Sequence, residues 1–304
     1  MIVVSGASGV IGHHVIAELR RRSLGQVAIL ARRPGVECHQ ELPRLNIDIL
    51  GSMEEPVSLV HLASPRSQQF DAVIRDEILS LVRLLAMPSI CRVVLASTQA
   101  VYGPPTTEER GNLVSEESRL DPTCWYDIGK AVNEFQLRIR RKEDRSFRWI
   151  ALRFGLLLDA QGLSGGPRAQ LLPEIIEHYL NSGMFYIRSD LSIDRSGSAY
   201  SSAPGLAHAF CECLEIDYDG PMNFASGFFT WRELLESIRR VTGEPYRIVR
   251  RWQDGAYALA GGRTELDCAL ARRHLSSIAE PCLDDIVAAA IHARHPRSPH
   301  DLFQ

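Results

Sequence analysis

The first half of the chain alternates short apolar runs with longer stretches in which apolar residues recur every third or fourth position. Val-, Ile- and Leu-rich runs predict strands at 2–5, 27–31, 45–49, 58–63, 92–96 and 149–154. Helical spacing predicts helices over 10–22, 70–87 and 126–141, the second with Ile74, Ile78, Leu81, Val82 and Leu85 on one buried face. Gly25 is placed to end the first helix. Strands that are apolar throughout, rather than alternating, belong in a sheet covered on both faces. Strand–helix alternation of this kind predicts a doubly wound parallel α/β sheet.

The texture changes after Gly155. Residues 156–200 read as irregular and rich in Gly and Ser, with one helix near 171–181. A helix at 204–214 and a strand at 222–225 are placed to rejoin the sheet. A helix at 231–242, a strand at 246–250, two short helices and a frayed tail from His295 complete the chain. The expected division puts 1–155, with about 200–226, in the sheet domain. Residues 156–199 and 227–304 then form a smaller C-terminal α/β substrate domain.

Composition narrows the classes of function. Of 304 residues, 45% are apolar and 23% charged, the balance of an ordinary globular enzyme. A net charge of −3 gives no field to attract nucleic acid or an anionic membrane. Two basic runs, Arg20-Arg21-Arg22 and Arg140-Arg141-Lys142, fall at expected helix C-termini, where positive charge offsets the dipole. The seven cysteines lack paired spacing and the ten histidines lack ligand spacing, which predicts reduced thiols and no metal. With no leader-like segment before 2–5 and no apolar run of membrane-spanning length, the expectation is a cytoplasmic protein acting on a small molecule.

Between the first strand and the first helix lies Ser5-Gly6-Ala7-Ser8-Gly9-Val10-Ile11-Gly12. Three glycines at that spacing permit a tight turn, close approach of backbone to a pyrophosphate, and close helix–strand packing. The helix N-terminus supplies N–H groups and the positive end of a dipole. Gly6, Ser8, Gly9, Val10, Ile11 and Gly12 are therefore candidate dinucleotide contacts. The second strand leads into Arg32-Arg33, with no carboxylate there to hold a ribose 2′-hydroxyl. Two guanidinium groups suit a 2′-phosphate, which predicts NADP(H) ahead of NAD.

Tyr126 and Lys130 stand four apart at a helix start, on one face. A phenol of ordinary pKa, about 10, is a poor acid–base at neutral pH; an adjacent ammonium favours its phenolate. Only two of the 34 basic residues are lysine, so with eight tyrosines about 0.05 such pairs arise by chance. Keeping Lys130 where arginine is otherwise used fits a need for a compact ammonium. Thr98 follows the strand at 92–96, at the edge where parallel sheets bind ligands, and is placed to donate to a substrate oxygen.

Together these segments resemble the extended short-chain dehydrogenase/reductase superfamily, also called the NAD-dependent epimerase/dehydratase family. The resemblance runs over nearly the whole chain. It includes Gly6, Gly9 and Gly12, Asp48-Ile49, His61-Leu62-Ala63, Ser97-Thr98, Val101-Tyr102-Gly103, the Tyr126/Lys130 pair and Leu152-Arg153, with weaker echoes at 222–227 and Leu266-Asp267. It implies a Rossmann sheet and a catalytic group of Thr98, Tyr126 and Lys130. It further implies that Asp48 and Ile49 flank the adenine, that Leu62 and Ala63 lie along the cofactor, and that the backbone near Phe154 meets the nicotinamide. It also implies subunit pairing through the helices at 70–87 and 126–141.

Many members of that family act on nucleotide sugars, and the chain departs from them at several places. Gln99-Ala100 stands where dehydratases carry Asp-Glu, and no added Cys and His mark a 3,5-epimerase/4-reductase. Leu156 stands where Asn contacts the substrate pyrophosphate, Ser198 where Arg is usual, and Gly205 where Asp is usual. Gln99, Arg195 and Arg263 are the remaining candidates for substrate contact. The leading expectation is an NADPH-dependent ketoreductase of a nucleotide-activated sugar or a related intermediate. The alternatives are a nucleotide-sugar epimerase and a non-catalytic NADP-binding regulator, the last disfavoured by the intact Thr98, Tyr126 and Lys130.

Overall fold

The computed structural model describes residues 1–30, 39, 41–65, 69–104, 113–158, 171–188, 192–251, 263–276 and 281–294. In the first half the order is β1 (Ile2–Ser5), α1 (Val10–Arg22), β2 (Val27–Leu30), β3 (Arg44–Leu45), α2 (Ile47–Gly51) and β4 (Val57–His61). There follow α3 (Phe70–Ala72), a π-helical turn (Val73–Ile78), α4 (Leu79–Leu85), β5 (Ile90–Ala96), a 3₁₀ turn (Gln99–Tyr102), α5 (Trp125–Glu143) and β6 (Arg148–Phe154). The second half contains β7 (Leu156–Leu158), α6 (Leu171–Ser182), β8 (Met184–Arg188), β9 (Gly197–Ser202), α7 (Ala203–Glu212), β10 (Gly220–Phe224) and β11 (Gly227–Thr230). It ends with α8 (Trp231–Thr242), β12 (Arg247–Arg251), β13 (Arg263–Thr264), α9 (Ala269–His274) and α10 (Leu283–Arg294).

Seven strands form one sheet in the order β10-β6-β5-β4-β1-β2-β3, every pair parallel. This is the doubly wound arrangement that the apolar runs predicted. Its faces carry separate cores. One gathers Val15, Ile16, Leu19, Leu206 and Phe210 from α1 and α7. The other gathers Leu81, Leu84, Leu137, Phe147 and Trp149 beneath α4 and α5. A third core joins Tyr179, Phe229, Trp231, Leu234 and Val287 in the second half. There β9 pairs with β7 and β13 in parallel and with β11 antiparallel, while β8 and β12 form a parallel pair.

Several elements differ from the sequence expectation. The strand at 45–49 is only Arg44–Leu45, because Asn46 caps a helix by accepting the Ile49 N–H at 2.8 Å. The first helix ends at Ser23, in the left-handed region with φ 53°, and not at Gly25. Among the described residues of 156–200 lie β7, β8 and the start of β9, where irregular chain was expected. Two of them, Leu-Leu-Leu in β7 and Met-Phe-Tyr-Ile-Arg in β8, are apolar runs too short to stand out, and β9 is Gly-Ser-Ala-Tyr-Ser-Ser, buried at every position. Small residues are needed there: a Cβ on Gly197 would lie 2.0 Å from the Phe229 carbonyl oxygen.

The helix at 70–87 is interrupted by the π-helical turn, and its buried face differs from the expected one. Val73, Glu77, Leu81 and Leu84 are buried, whereas Val82, expected inside, is 45% exposed.

Candidate active site

Because the sheet is parallel, the ends of β1, β4, β5 and β6 open on one edge, and the glycine turn, Leu62-Ala63, Thr98 and Phe154 lie at those ends. Gly6 adopts φ 73°, and a Cβ on it would fall 2.6 Å from the Ala63 nitrogen. A Cβ on Gly12 would fall 2.4 Å from the Gly6 carbonyl oxygen. The Gly9 N–H donates to that carbonyl at 3.0 Å. Helix α1 then starts at Val10 with no side-chain cap and no acidic residue in its first turn. Its leading N–H groups face no competing carboxylate from that turn, and Ser8 is exposed beside them. These features fit a bound pyrophosphate. Leu62 and Ala63 follow β4 directly and pack against the glycine turn, with Leu62 N–H donating to the Ser5 carbonyl at 3.1 Å. Asp48 and Ile49 lie exposed in the first turn of α2, and Phe154 ends β6. Arg32 and Arg33 fall outside the described residues.

Tyr126 and Lys130 occupy the first turns of α5, and Lys130 Nζ lies 5.6 Å from the centre of the Tyr126 ring. Tyr126 is half-buried; Lys130 is 2% exposed. Burial is the largest influence on the Lys130 ammonium and acts to discharge it. Glu77, Tyr126 and Glu134 together outweigh that effect and leave its pKa raised. Thr98 is buried at the end of β5 and caps the 3₁₀ turn, its Oγ1 accepting the Ala100 N–H at 3.2 Å. A hydroxyl that accepts from the backbone keeps its own proton to donate. The 3₁₀ turn packs against α5, so Thr98 and Tyr126 belong to one edge of the sheet.

Beneath this group runs a buried polar network. Arg153 Nη2 donates to Glu134 Oε2 at 2.6 Å, and its Nη1 donates to the Tyr102 hydroxyl at 2.9 Å. Tyr102 donates onward to Asn223 Oδ1 at 2.6 Å, tying β6, α5 and β10 together. Burial pushes the Tyr102 phenol up to about 12. Its hydroxyl therefore stays protonated and acts as a link, not as a base.

Of the residues expected to contact substrate, Gln99 donates through Nε2 to Ser198 Oγ at 2.8 Å, bridging the 3₁₀ turn and β9. Leu156 opens β7 and pairs with Tyr200 of β9. The Gly205 N–H is capped by Ser202 Oγ at 3.0 Å. The three positions at which the chain departs from the family resemblance, Leu156, Ser198 and Gly205, thus have roles within the fold. Arg263 stacks on the Phe228 ring at 4.2 Å and is paired with Glu265, while Arg195 is exposed.

The residue that sequence reasoning missed is Glu77. It is fully buried, and its Oε1 lies 2.9 Å from Lys130 Nζ. Within the run Arg75-Asp76-Glu77 it reads as part of a solvated helix face. The signal that could have found it is its spacing, four residues from each of Val73 and Leu81, which places it on their buried face.

The model of the NAD dependent epimerase/dehydratase family matches residues 2–196. No curated protein matches the chain. Among solved structures, MoeE5 in complex with UDP-glucuronic acid and NAD superposes with a TM-score of 0.76 at 20% identity, over 97% of this chain and 99% of that one. The UDP-Glc/GlcNAc 4-epimerase from Campylobacter jejuni gives 0.77 at 16% identity, over 97% and 99%. TunA, an NAD dependent NDP-hexosamine 5,6-dehydratase of tunicamycin biosynthesis, gives 0.74 at 18% identity, over 99% of each chain.

Proposed function

The chain belongs to the NAD dependent epimerase/dehydratase family, and from that premise we propose that it is a nucleotide-sugar epimerase working through a closed redox cycle on a bound nicotinamide dinucleotide. The observation that carries this reading is the meeting of the glycine turn after β1, Thr98 after β5, and the Tyr126/Lys130 pair of α5 at one sheet edge. Gly6, Ser8, Gly9 and Gly12 hold the pyrophosphate. Tyr126 takes the proton of a sugar hydroxyl and later returns it, with Lys130 supporting the phenolate and Thr98 holding the oxygen. When bound, the nicotinamide supplies a reversible hydride acceptor. The smaller unit, 156–199 with 227–304, receives the sugar nucleotide. The epimerase reading stands ahead of the ketoreductase because the similar structures include UDP-sugar 4-epimerases, among them that of Campylobacter jejuni.

A second reading, the NADPH-dependent ketoreductase, is favoured by Arg32-Arg33. One assay separates the two. Epimerisation of a UDP-sugar with no net change in cofactor supports the first; stoichiometric oxidation of NADPH by a keto-sugar nucleotide supports the second. Replacing both arginines, Arg32→Ala with Arg33→Ala, is expected to weaken NADP(H) far more than NAD(H) in equilibrium titrations. Equal losses for both dinucleotides would remove the 2′-phosphate from that loop.

The same reading includes a homodimer. Phe70, Leu79 and Val82 on α3 and α4, and Trp125, Phe135 and Ile139 on α5, are large apolar side chains between 42% and 55% exposed. A second copy, paired through these helices, would cover them. Phe135→Glu with Ile139→Glu is expected to yield a monomer in sedimentation analysis. An unchanged sedimentation coefficient would place the interface elsewhere.

A further inference from the structure

Glu77 is a fully buried carboxylate, and nothing in the chemistry of Tyr126 and Thr98 calls for an acid at that depth. The π-helical turn carries it inward against Gly129, where a Cβ would lie 2.6 Å from Val73 Cγ1 and 3.2 Å from Glu77 Cγ. Its Oε1 accepts from Lys130 Nζ at 2.9 Å and from Asn133 Nδ2 at 2.8 Å. Its Oε2 accepts from Ser64 Oγ at 2.7 Å. Asn133 Nδ2 also reaches the Glu77 backbone carbonyl at 3.4 Å, serving a group in the π-helical turn. Three elements thus converge on one carboxylate: the segment after β4, the π-helical turn, and α5.

We propose that Glu77 is a positioning residue, which fixes the Lys130 ammonium beside Tyr126 and keeps it charged in a buried site; this rests on the roles given to Tyr126 and Lys130 under the proposed function. A buried lysine without a carboxylate loses its proton readily. The titratable groups acting on Lys130 are Glu77 from the π-helical turn and Tyr126 and Glu134 from its own helix. Glu134 is already engaged by Arg153 of β6 and by Ser97. Glu77 is therefore the main support of the charge.

The chain has two lysines, Lys130 and Lys142. Lysine-selective carbon-13 labelling therefore gives two side-chain signals, and Lys142→Arg assigns them. In the unaltered protein Lys130 is expected to keep its proton past the ordinary lysine pKa of about 10.4. In Glu77→Gln it should lose the proton at least about one pH unit earlier. Titration of Lys130 below the ordinary range in the unaltered protein, or at the same pH in both, overturns the proposal; the first arm does not depend on a variant folding. In pH–rate profiles, Glu77→Gln should lose activity as pH rises through a range that the unaltered enzyme tolerates, with Glu77→Asp restoring it. A uniform loss at every pH would mark Glu77 as merely structural. A moved Lys130 titration alongside a fully active Tyr126→Phe would remove the role given to Tyr126 while sparing the pair. An inactive Tyr126→Phe with an unmoved Lys130 would do the reverse.

Discussion

Replacing Tyr126 by Phe is expected to lower turnover by a factor on the order of 10²–10⁴, the usual size of an acid–base contribution, with cofactor affinity almost unchanged. The two quantities separate because different parts of the edge supply them. The phosphates would be held by the turn between β1 and α1, where Gly6 and Gly12 let backbone come close. The proton would be handled by the first turn of α5, where the Lys130 ammonium lies over the Tyr126 ring. Removing one hydroxyl leaves the glycine turn and the buried Lys130–Glu77 pair in place. A steady-state assay with parallel cofactor titration decides the matter, and full activity in the variant would remove Tyr126 from the chemistry.

The second large effect concerns stability. Arg153→Met is expected to cost about 3–5 kcal/mol, because it strands a buried carboxylate. Arg153 and Glu134 are each about 5% exposed, and the guanidinium makes three contacts to the carboxylate, at 2.6, 3.1 and 3.1 Å. Burial alone would lower the Arg153 pKa, but Glu134 and Tyr102 more than offset it, so the charge persists. In the variant, Glu134 retains Ser97 as its hydrogen-bond donor. Adding Glu134→Leu to Arg153→Met should recover part of the loss, since removing both charges abolishes the stranded group. Urea unfolding of the single and double variants measures this. A single variant as stable as the unaltered protein would show that the network does not hold β6 to α5.

The features legible in the sequence are those set by local spacing. The turn at 6–12 is recognisable because tight phosphate approach needs glycine at fixed intervals. Tyr126 and Lys130 are recognisable because a helix sets residues four apart on one face. The seven-stranded sheet is announced by strands buried on both faces. The elements that were not legible are those whose reasons lie far away in the chain. Strand β9 is built from small residues because β7 and β11 pack close on it, and its own sequence resembles a loop. Glu77 has the sequence neighbourhood of an exposed acid, and its partner Lys130 lies on another helix far along the chain. With Val73, Glu77 and Leu84 inside, Val82 lies on the surface with Phe70 and Leu79.

The most direct test is a crystal structure of the protein with a nicotinamide dinucleotide bound. The pyrophosphate should lie across the turn at 6–12, with the nicotinamide ribose next to Lys130 and the Tyr126 hydroxyl facing the same crevice. A dinucleotide seated elsewhere, or a phenol directed away from it, would contradict the account.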